Sequence, residues 1–172
     1  MTDVIDRSGS GKAAAQPSGA GAPVYELIEL LFFAYRDFVQ EADEVLIRYG
    51  FGRAHHRVLH FVSRNPGLKV AELLNILKIT KQSLGRVLRD LVDQGFVDAQ
   101  EGETDRRQRL LRVTPRGEKL ARELASLQSR RINAALDAAG PNAHEIAARF
   151  LSAMIDAGER ETVQTLVSKG RP

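Results

Sequence analysis

The chain has 172 residues, 43% hydrophobic and 27% charged, enough for one folded domain with an extended oligomerisation element but not for two independent domains. Cysteine is absent, which excludes disulfides, thiolate metal sites and cysteine nucleophiles. The longest apolar run is far shorter than the roughly 20 residues of a spanning helix, and the N-terminus lacks the apolar core of a signal peptide, so we expect a cytoplasmic protein without membrane contact.

The formal net charge of +3 is concentrated in one segment. Between Lys78 and Arg116 there are nine lysines and arginines and six acidic residues, and nine minus six is +3, so the rest of the chain is neutral. A local positive excess attracts a polyanion such as nucleic acid. Charge alone leaves a second interpretation open, a solvated charged surface.

The N-terminal part combines a polar tail with a long helix. Residues 1–22 are rich in glycine, serine and alanine, and we predict a disordered tail. Apolar residues then recur at steps of four and three from Val24 to Tyr49, which predicts one helix over 23–49. Its first half carries further apolar side chains on other faces, and such an excess suggests a partner chain.

The central part predicts a helix-turn-helix. One helix is predicted over 53–65, and after Pro66 and Gly67 two short helices follow, joined only by the corner KIT at 78–80. Thr80 is well placed to cap the second of these two helices. Two helices joined by so short a turn, the second with a polar outer face, form a helix-turn-helix.

A β-hairpin is predicted next. The segments 96–100 and 108–114 can each extend as strands, and Gly102 supplies a turn between them. A helix-turn-helix followed directly by a hairpin is the element order of a winged helix. The charged connection between the two predicted strands is the tip of the wing.

Long helices are predicted after the wing. Thr114 caps a helix that has Pro115 at its first position and runs to about Ala139. One last helix follows and continues toward Val167. The fold class expected is therefore mostly α with a small β-hairpin (α+β), a winged helix-turn-helix core flanked by long terminal helices.

Three stretches of this sequence resemble the MarR family of bacterial transcription regulators. They are 68–97, the wing tip TDRR in which Asp105 and Arg107 fit an Asp-x-Arg signature, and 113–120, which is similar to a Thr-x-x-Gly helix start. The resemblance covers roughly 24–167. It implies a homodimer, held by its terminal helices, that binds pseudo-palindromic operator DNA, usually represses, and often releases DNA when a small ligand binds.

These features divide the chain into three regions. Residues 1–22 form the tail, 23–50 and 117–168 the helical dimerisation region, and 51–116 the winged helix-turn-helix DNA-binding domain. The predicted function is a sequence-specific regulator that binds double-stranded DNA with an inverted-repeat operator as a homodimer, with repression and a small-molecule effector expected. The alternative is a dimeric winged-helix module that binds a protein partner without specific DNA binding. No paired carboxylates or nucleophile elbow appear, so we expect no enzyme and no cofactor.

The second helix of the helix-turn-helix supplies the predicted base contacts. A helix fits the major groove, where lysine and arginine can contact guanine and glutamine can contact adenine. The predicted DNA-binding residues here are Thr80, Lys81, Gln82, Ser83, Arg86 and Arg89. Gly85 lies among them and is unfavourable in a helix interior, which suggests close approach of DNA or of a neighbouring helix, or else a tolerated defect.

The wing tip supplies the remaining predicted contacts. Arg107 is assigned to a phosphate or the minor groove, and Arg106 to a phosphate. Asp105 is assigned as a positioning residue, because a carboxylate can orient a guanidinium by a bidentate pair before DNA arrives. A pair that only stiffens the turn is the alternative. Arg109 and Arg112 lie on the strand and are interpreted as solvated.

Three histidines, His55, His56 and His60, are weak candidates for ligand binding. His56 and His60 have the i, i+4 spacing of a helical zinc pair, but Arg57 stands where HExxH needs glutamate and opposes metal, so no metal site is predicted. A regulatory metal site completed from elsewhere, a pH-sensitive cluster near a ligand cleft and ordinary surface histidines stay open.

Overall fold

The computed structural model describes residues 23–101 and 108–169, so the predicted tail at 1–22 and the wing tip at 102–107 lie outside the described residues. Seven α-helices and three β-strands occur within them. In chain order they are α1 (Tyr25–Ile47), α2 (Arg53–Arg64), β1 (Leu68–Lys69), α3 (Val70–Leu77), α4 (Lys81–Asp93), β2 (Val97–Glu101), β3 (Arg109–Val113), α5 (Pro115–Ala139), α6 (Ala143–Met154) and α7 (Arg160–Lys169). None of these helices is both long and apolar enough to cross a membrane.

The sheet has three antiparallel strands in the order β1-β3-β2. The predicted hairpin is β2 and β3, paired from Val97 with Val113 to Glu101 with Arg109. The sequence did not predict β1, whose Leu68 pairs with Leu111. A strand of two residues is too short to show the alternation by which strands are predicted. The winged-helix prediction is confirmed, with a third strand added at the edge of the wing.

One core holds the winged domain together. It is formed by the C-terminal half of α1, by α2 to α4, by the sheet and by the start of α5. Its fully buried large side chains are Leu46, Val58, Leu59, Val62, Leu73, Leu84, Leu91, Phe96, Val97, Leu111 and Leu124. At roughly 1.5–3 kcal/mol for each buried aliphatic or aromatic side chain, this core dominates the stability of the domain.

The corner of the helix-turn-helix lies where the sequence predicts it. Helix α3 ends at Leu77, and Lys78 adopts a left-handed conformation (φ 50°) that redirects the chain. Thr80 then caps α4, because its Oγ1 accepts a hydrogen bond from the Ser83 amide at 3.1 Å. Three residues therefore suffice to turn α4 away from α3.

The last predicted helix is wrong as a single element. The chain forms α6 and α7, separated at 155–159. Ile155 is extended, and the Glu159 amide donates to the Asp156 carbonyl at 2.9 Å in a tight turn that contains Gly158. Arg160 stabilises the break, because its guanidinium donates to the carbonyls of Ala153 and Ile155, both at 2.8 Å. Apolar spacing continues across this break, which is why periodicity alone did not show it.

Candidate nucleic-acid interface

Helix α4 is fixed to the core along one face and free along the other. Leu84, Val87 and Leu91 recur at steps of three and four and are buried. Such a spacing places them on one side of a helix, so the opposite side points away from the core. The outer side of α4 is therefore held rigidly toward solvent.

The outer side of α4 carries the predicted base-reading groups. Gln82, Arg86 and Arg89 follow one another at steps of four and three, and all three are exposed. One amide and two guanidinium groups therefore lie along one line on the helix surface. These groups can form bidentate hydrogen bonds with adenine and guanine in the major groove.

The N-terminus of α4 is ordered by its own hydroxyl groups. Thr80 Oγ1 accepts from the Ser83 amide and donates to Ser83 Oγ at 2.9 Å. The structure thus gives Thr80 a capping role, which fixes the first turn of α4, and leaves the exposed Lys81 and Gln82 free to point outward. The assignment of Thr80 and Ser83 as DNA contacts remains a prediction.

A histidine–aspartate pair that the sequence did not reveal supports α4 from its side. His55 Nε2 lies 3.2 Å from Asp90 Oδ2, and His55 Nδ1 accepts from the Gly52 amide at 3.1 Å. The ring also stacks on Phe51 with centroids 4.7 Å apart, and the side chain is only 13% exposed. Because Nδ1 accepts a hydrogen bond here, the proton of the neutral ring is on Nε2, which donates a hydrogen bond to Asp90 Oδ2. His55 is therefore a link between α2 and α4, with both ring nitrogens occupied.

The wing lies next to α4, which contacts β2. Arg109 begins β3 opposite Glu101, and Arg112 follows on the same strand. Both are exposed, as expected. The tip itself lies outside the described residues, so the roles given to Asp105, Arg106 and Arg107 remain predictions from the sequence.

Gly85 lies exposed on α4, and the structure narrows the explanations for it. A Cβ built there meets no heavy atom within 4 Å, so within the described residues no neighbouring helix packs against this position. Glycine costs about 1 kcal/mol relative to alanine in a helix interior. Of the original explanations, close approach of DNA and a tolerated defect remain.

The other two histidines lie on α2, where His56 is half-buried and close to Asp43 of α1, and His60 is exposed. Burial lowers the pKa of His56, and the neighbouring His60 lowers it further, while Asp43 acts in the opposite direction. The pKa of His60 is lowered by desolvation and then by Arg64. Asp43 Oδ2 accepts from Arg53 Nε at 2.9 Å, whereas its buried Oδ1 has no hydrogen-bond partner within the part of the chain that the structure describes. No group of three or more His, Cys, Asp or Glu side chains in that part could hold a metal ion.

These shifts predict a pH dependence of stability. The unfolded chain protonates His56 near its ordinary pKa of 6.5, whereas the folded chain does so only at lower pH. The unfolded state therefore binds more protons in this window, and the free energy of unfolding should fall as the pH drops through about 6.5. Urea unfolding at pH 7.5 and 5.5 should show a smaller decrease for His56→Gln than for the wild type. His144→Gln, at an exposed position on α6, is the control and should retain the wild-type decrease.

An anchored helix with a polar outer side, reached through a short corner and flanked by a β-wing, defines a winged-helix DNA-binding protein. The MarR family model matches residues 49–108. The HTH-type transcriptional regulator PetP of Rhodobacter capsulatus is 47% identical over 139 residues, which are 81% of this chain and 84% of that protein. The chain belongs to the MarR family and is a DNA-binding transcriptional regulator.

Solved structures agree with this fold. The structure of NadR in complex with 4-hydroxyphenylacetate has a TM-score of 0.64 at 22% identity and covers 82% of this chain and 100% of that one. A Mycobacterium tuberculosis MarR family protein in complex with salicylic acid has a TM-score of 0.54 at 24% identity, and covers 79% of this chain and 98% of that one. At these identities the likeness shows the fold alone.

Proposed function

We propose that this regulator is a homodimeric repressor that reads an inverted-repeat operator with Gln82 and Arg86 of α4, while Arg89, which lies toward the wing, contacts the DNA backbone. The observation that carries the proposal is the exposed amide and guanidinium line on a helix whose opposite side is fixed in the core. Lys81, Thr80 and Ser83 would contact DNA at the N-terminal end of the same helix. Asp105, Arg106 and Arg107 are the proposed wing contacts. We expect the protein to act in the cytoplasm and to repress a gene where the occupied operator overlaps its promoter.

The test is fluorescence anisotropy of the purified protein with a pool of random 30-base-pair duplexes, followed by sequencing of the bound fraction. The proposal predicts an enriched inverted repeat with half-site centres about one helical turn apart. It also predicts a steep salt dependence, because each neutralised phosphate contributes about −0.9 to the slope of log K against log salt. No binding at low salt would contradict the proposal and favour the alternative function, a protein-interaction module.

The base and backbone contacts should separate by mutation. Gln82→Ala removes a base-reading group and should change the preferred sequence, with a loss of about 1–3 kcal/mol on the operator only. Arg107→Ala removes a backbone contact and should weaken binding to all sequences while reducing the salt slope. Binding of both variants to the operator and to random duplexes measures this. Equal losses on the two DNAs from both variants would contradict the division.

An aromatic carboxylate is the proposed effector class, since two similar structures hold such acids. In this chain the proposed ligand-facing histidines are His56 and His60, because both nitrogens of His55 are engaged. Arg53 lies one turn before His56 on α2, and although its Nε donates to Asp43, its remaining guanidinium N–H groups can pair with a ligand carboxylate. Salicylate and 4-hydroxyphenylacetate should release the operator duplex in anisotropy titrations, and His56→Ala should raise the concentration required. Unchanged DNA binding at millimolar acid would contradict the proposed effector class.

A further inference from the structure

A groove lies between α4 and the wing. Its volume is about 440 Å³, and it also touches the first residue of α3. Apolar side chains line it, together with two guanidinium groups and one carboxylate. The lining residues are Val70, Gly85, Leu88, Val92 and Ala99, with Arg89, Arg109 and Asp93 as the charged groups. The groove thus combines an apolar surface with a net positive charge, and its two cations come from separate elements.

The position of the groove relates it to duplex DNA. When α4 enters the major groove and the wing reaches the minor groove, one sugar–phosphate strand must cross between these two elements, because such a strand separates the two grooves of a duplex. The groove lies in that gap. Its apolar lining residues suit deoxyribose, and Arg89 and Arg109 suit phosphate oxygens.

The two arginines are available for such a contact. Within residues 23–101 and 108–169 no acidic side chain forms a salt bridge with Arg89 or Arg109, although several other arginines are paired. Val92, one turn beyond Leu88, keeps 39% of its surface exposed in the groove. Apolar surface beside two cations that have no ion-pair partner among the described residues is suited to an amphipathic polyanion.

Gly85 lies among the residues that line the groove. A Cβ added there would point into open space, so the absence of a side chain leaves room for a DNA strand. We propose that this groove holds the sugar–phosphate backbone of one DNA strand, with Arg89 and Arg109 on its phosphates and Gly85 leaving room for the strand. The inference rests on the proposed docking of α4 in the major groove. It assigns to Arg109 a contact that the sequence analysis did not give it.

The first test compares Arg109→Ala with Arg122→Ala on the full chain, using the duplex enriched by selection. Arg122 lies on α5 with 74% of its side chain exposed, so its loss removes the same charge away from the groove. Each dimer has two copies of Arg109, so its loss should reduce the salt slope by about 1.8 and weaken binding about tenfold per subunit, or about a hundredfold for the dimer, as expected for two lost charge-assisted contacts. Arg122→Ala should bind as the wild type does. Equal behaviour of the two variants would overturn the assignment.

The second test locates the phosphate. One phosphate at a time in the duplex is replaced by an uncharged methylphosphonate, and each duplex is titrated with the wild type and with Arg109→Ala. At the contacted phosphate the two changes delete the same ion pair, so the combined loss should be no larger than either single loss. Additive losses at every position would overturn the contact.

The third test uses Gly85→Ala. Alanine is the better helix former and meets no atom of the protein, so the unfolding temperature of the free protein should rise. Duplex binding should nevertheless weaken at least several-fold, because the methyl group enters the space of the strand. Wild-type affinity in this variant would overturn the placement of the strand.

A sign test is available at Asp93, the acid that also lines the groove. Asp93→Asn removes a charge that repels phosphate and should strengthen binding. Unchanged or weaker binding would count against the groove. If the wild type binds no duplex at all, the proposed DNA docking fails together with the groove. If the wild type binds duplex DNA but the groove variants bind as tightly as their controls, the groove assignment fails and the proposed DNA docking stands.

Discussion

Replacing Gly117 by alanine is expected to destabilise the protein by about 3 kcal/mol or more, at the upper end of the cost of overpacking. A Cβ at this position would collide with the Phe96 carbonyl oxygen and would lie 3.3 Å from Val113 Cβ. The carbonyl cannot turn away, because it accepts the Thr114 amide at 3.1 Å and belongs to the residue that precedes β2. Helix α5 or the wing must therefore shift by about an ångström, which close-packed interiors resist.

Urea unfolding of Gly117→Ala and Gly85→Ala measures this clash against a matched control. Both positions are helical, so both variants gain the propensity of alanine, about 1 kcal/mol. Gly85→Ala should be stabilised by that amount, because its Cβ meets nothing. Equal stabilisation of the two variants would contradict the contact between α5 and the wing. A decrease in the free energy of unfolding in Gly117→Ala alone would explain why the helix start at 114–117 needs glycine at its fourth position.

Local chemistry made much of the fold predictable. Thr80 and Thr114 each cap a helix with a hydroxyl oxygen, and Pro115 occupies the first position of α5, so these helix starts follow from neighbouring residues. Helix α1 begins and ends two residues inside its predicted limits. The break between α6 and α7 was not predictable in this way. It depends on Arg160, which reaches back to carbonyls on the preceding helix after the chain has turned.

The site was predictable only where it lies on one element. Gln82, Arg86 and Arg89 share a side of α4 because of their spacing, which the sequence shows directly. The pair His55 and Asp90 is separated by 35 positions, and no spacing rule connects them. Arg109 likewise approaches the surface of α4 only because the wing folds beside that helix. Contacts between elements need the tertiary arrangement, whereas groups on one helix need only its period.

The first half of α1 carries an apolar stripe that the described chain does not cover. The same face of the helix is buried further along, at Ala42 and Val45. Toward the N-terminus it continues with Val24, Ile28, Leu31 and Tyr35, each of which is at least 41% exposed. On α6, Phe150, Leu151 and Met154 are exposed as well. Apolar surface of this extent favours association, and a symmetric dimer would cover the same patch on both copies. The stripe on α1 is therefore the place at which to break the proposed dimer.

Leu31→Glu is expected to convert the dimer into monomers and to weaken operator binding about 10²–10⁴-fold, because the second half-site then loses the effective concentration that the linked partner supplies. Ile47→Glu is the matched control, since it makes the same kind of change on the same helix at a residue that is 72% exposed and lies off the stripe. Sedimentation velocity gives the mass of each variant, and anisotropy with full and half operators gives the affinities. Leu31→Glu should bind both duplexes equally weakly, whereas Ile47→Glu should prefer the full operator as the wild type does. A dimeric Leu31→Glu would place the interface elsewhere, and a monomeric variant with full affinity would mean that one subunit is sufficient to bind the operator.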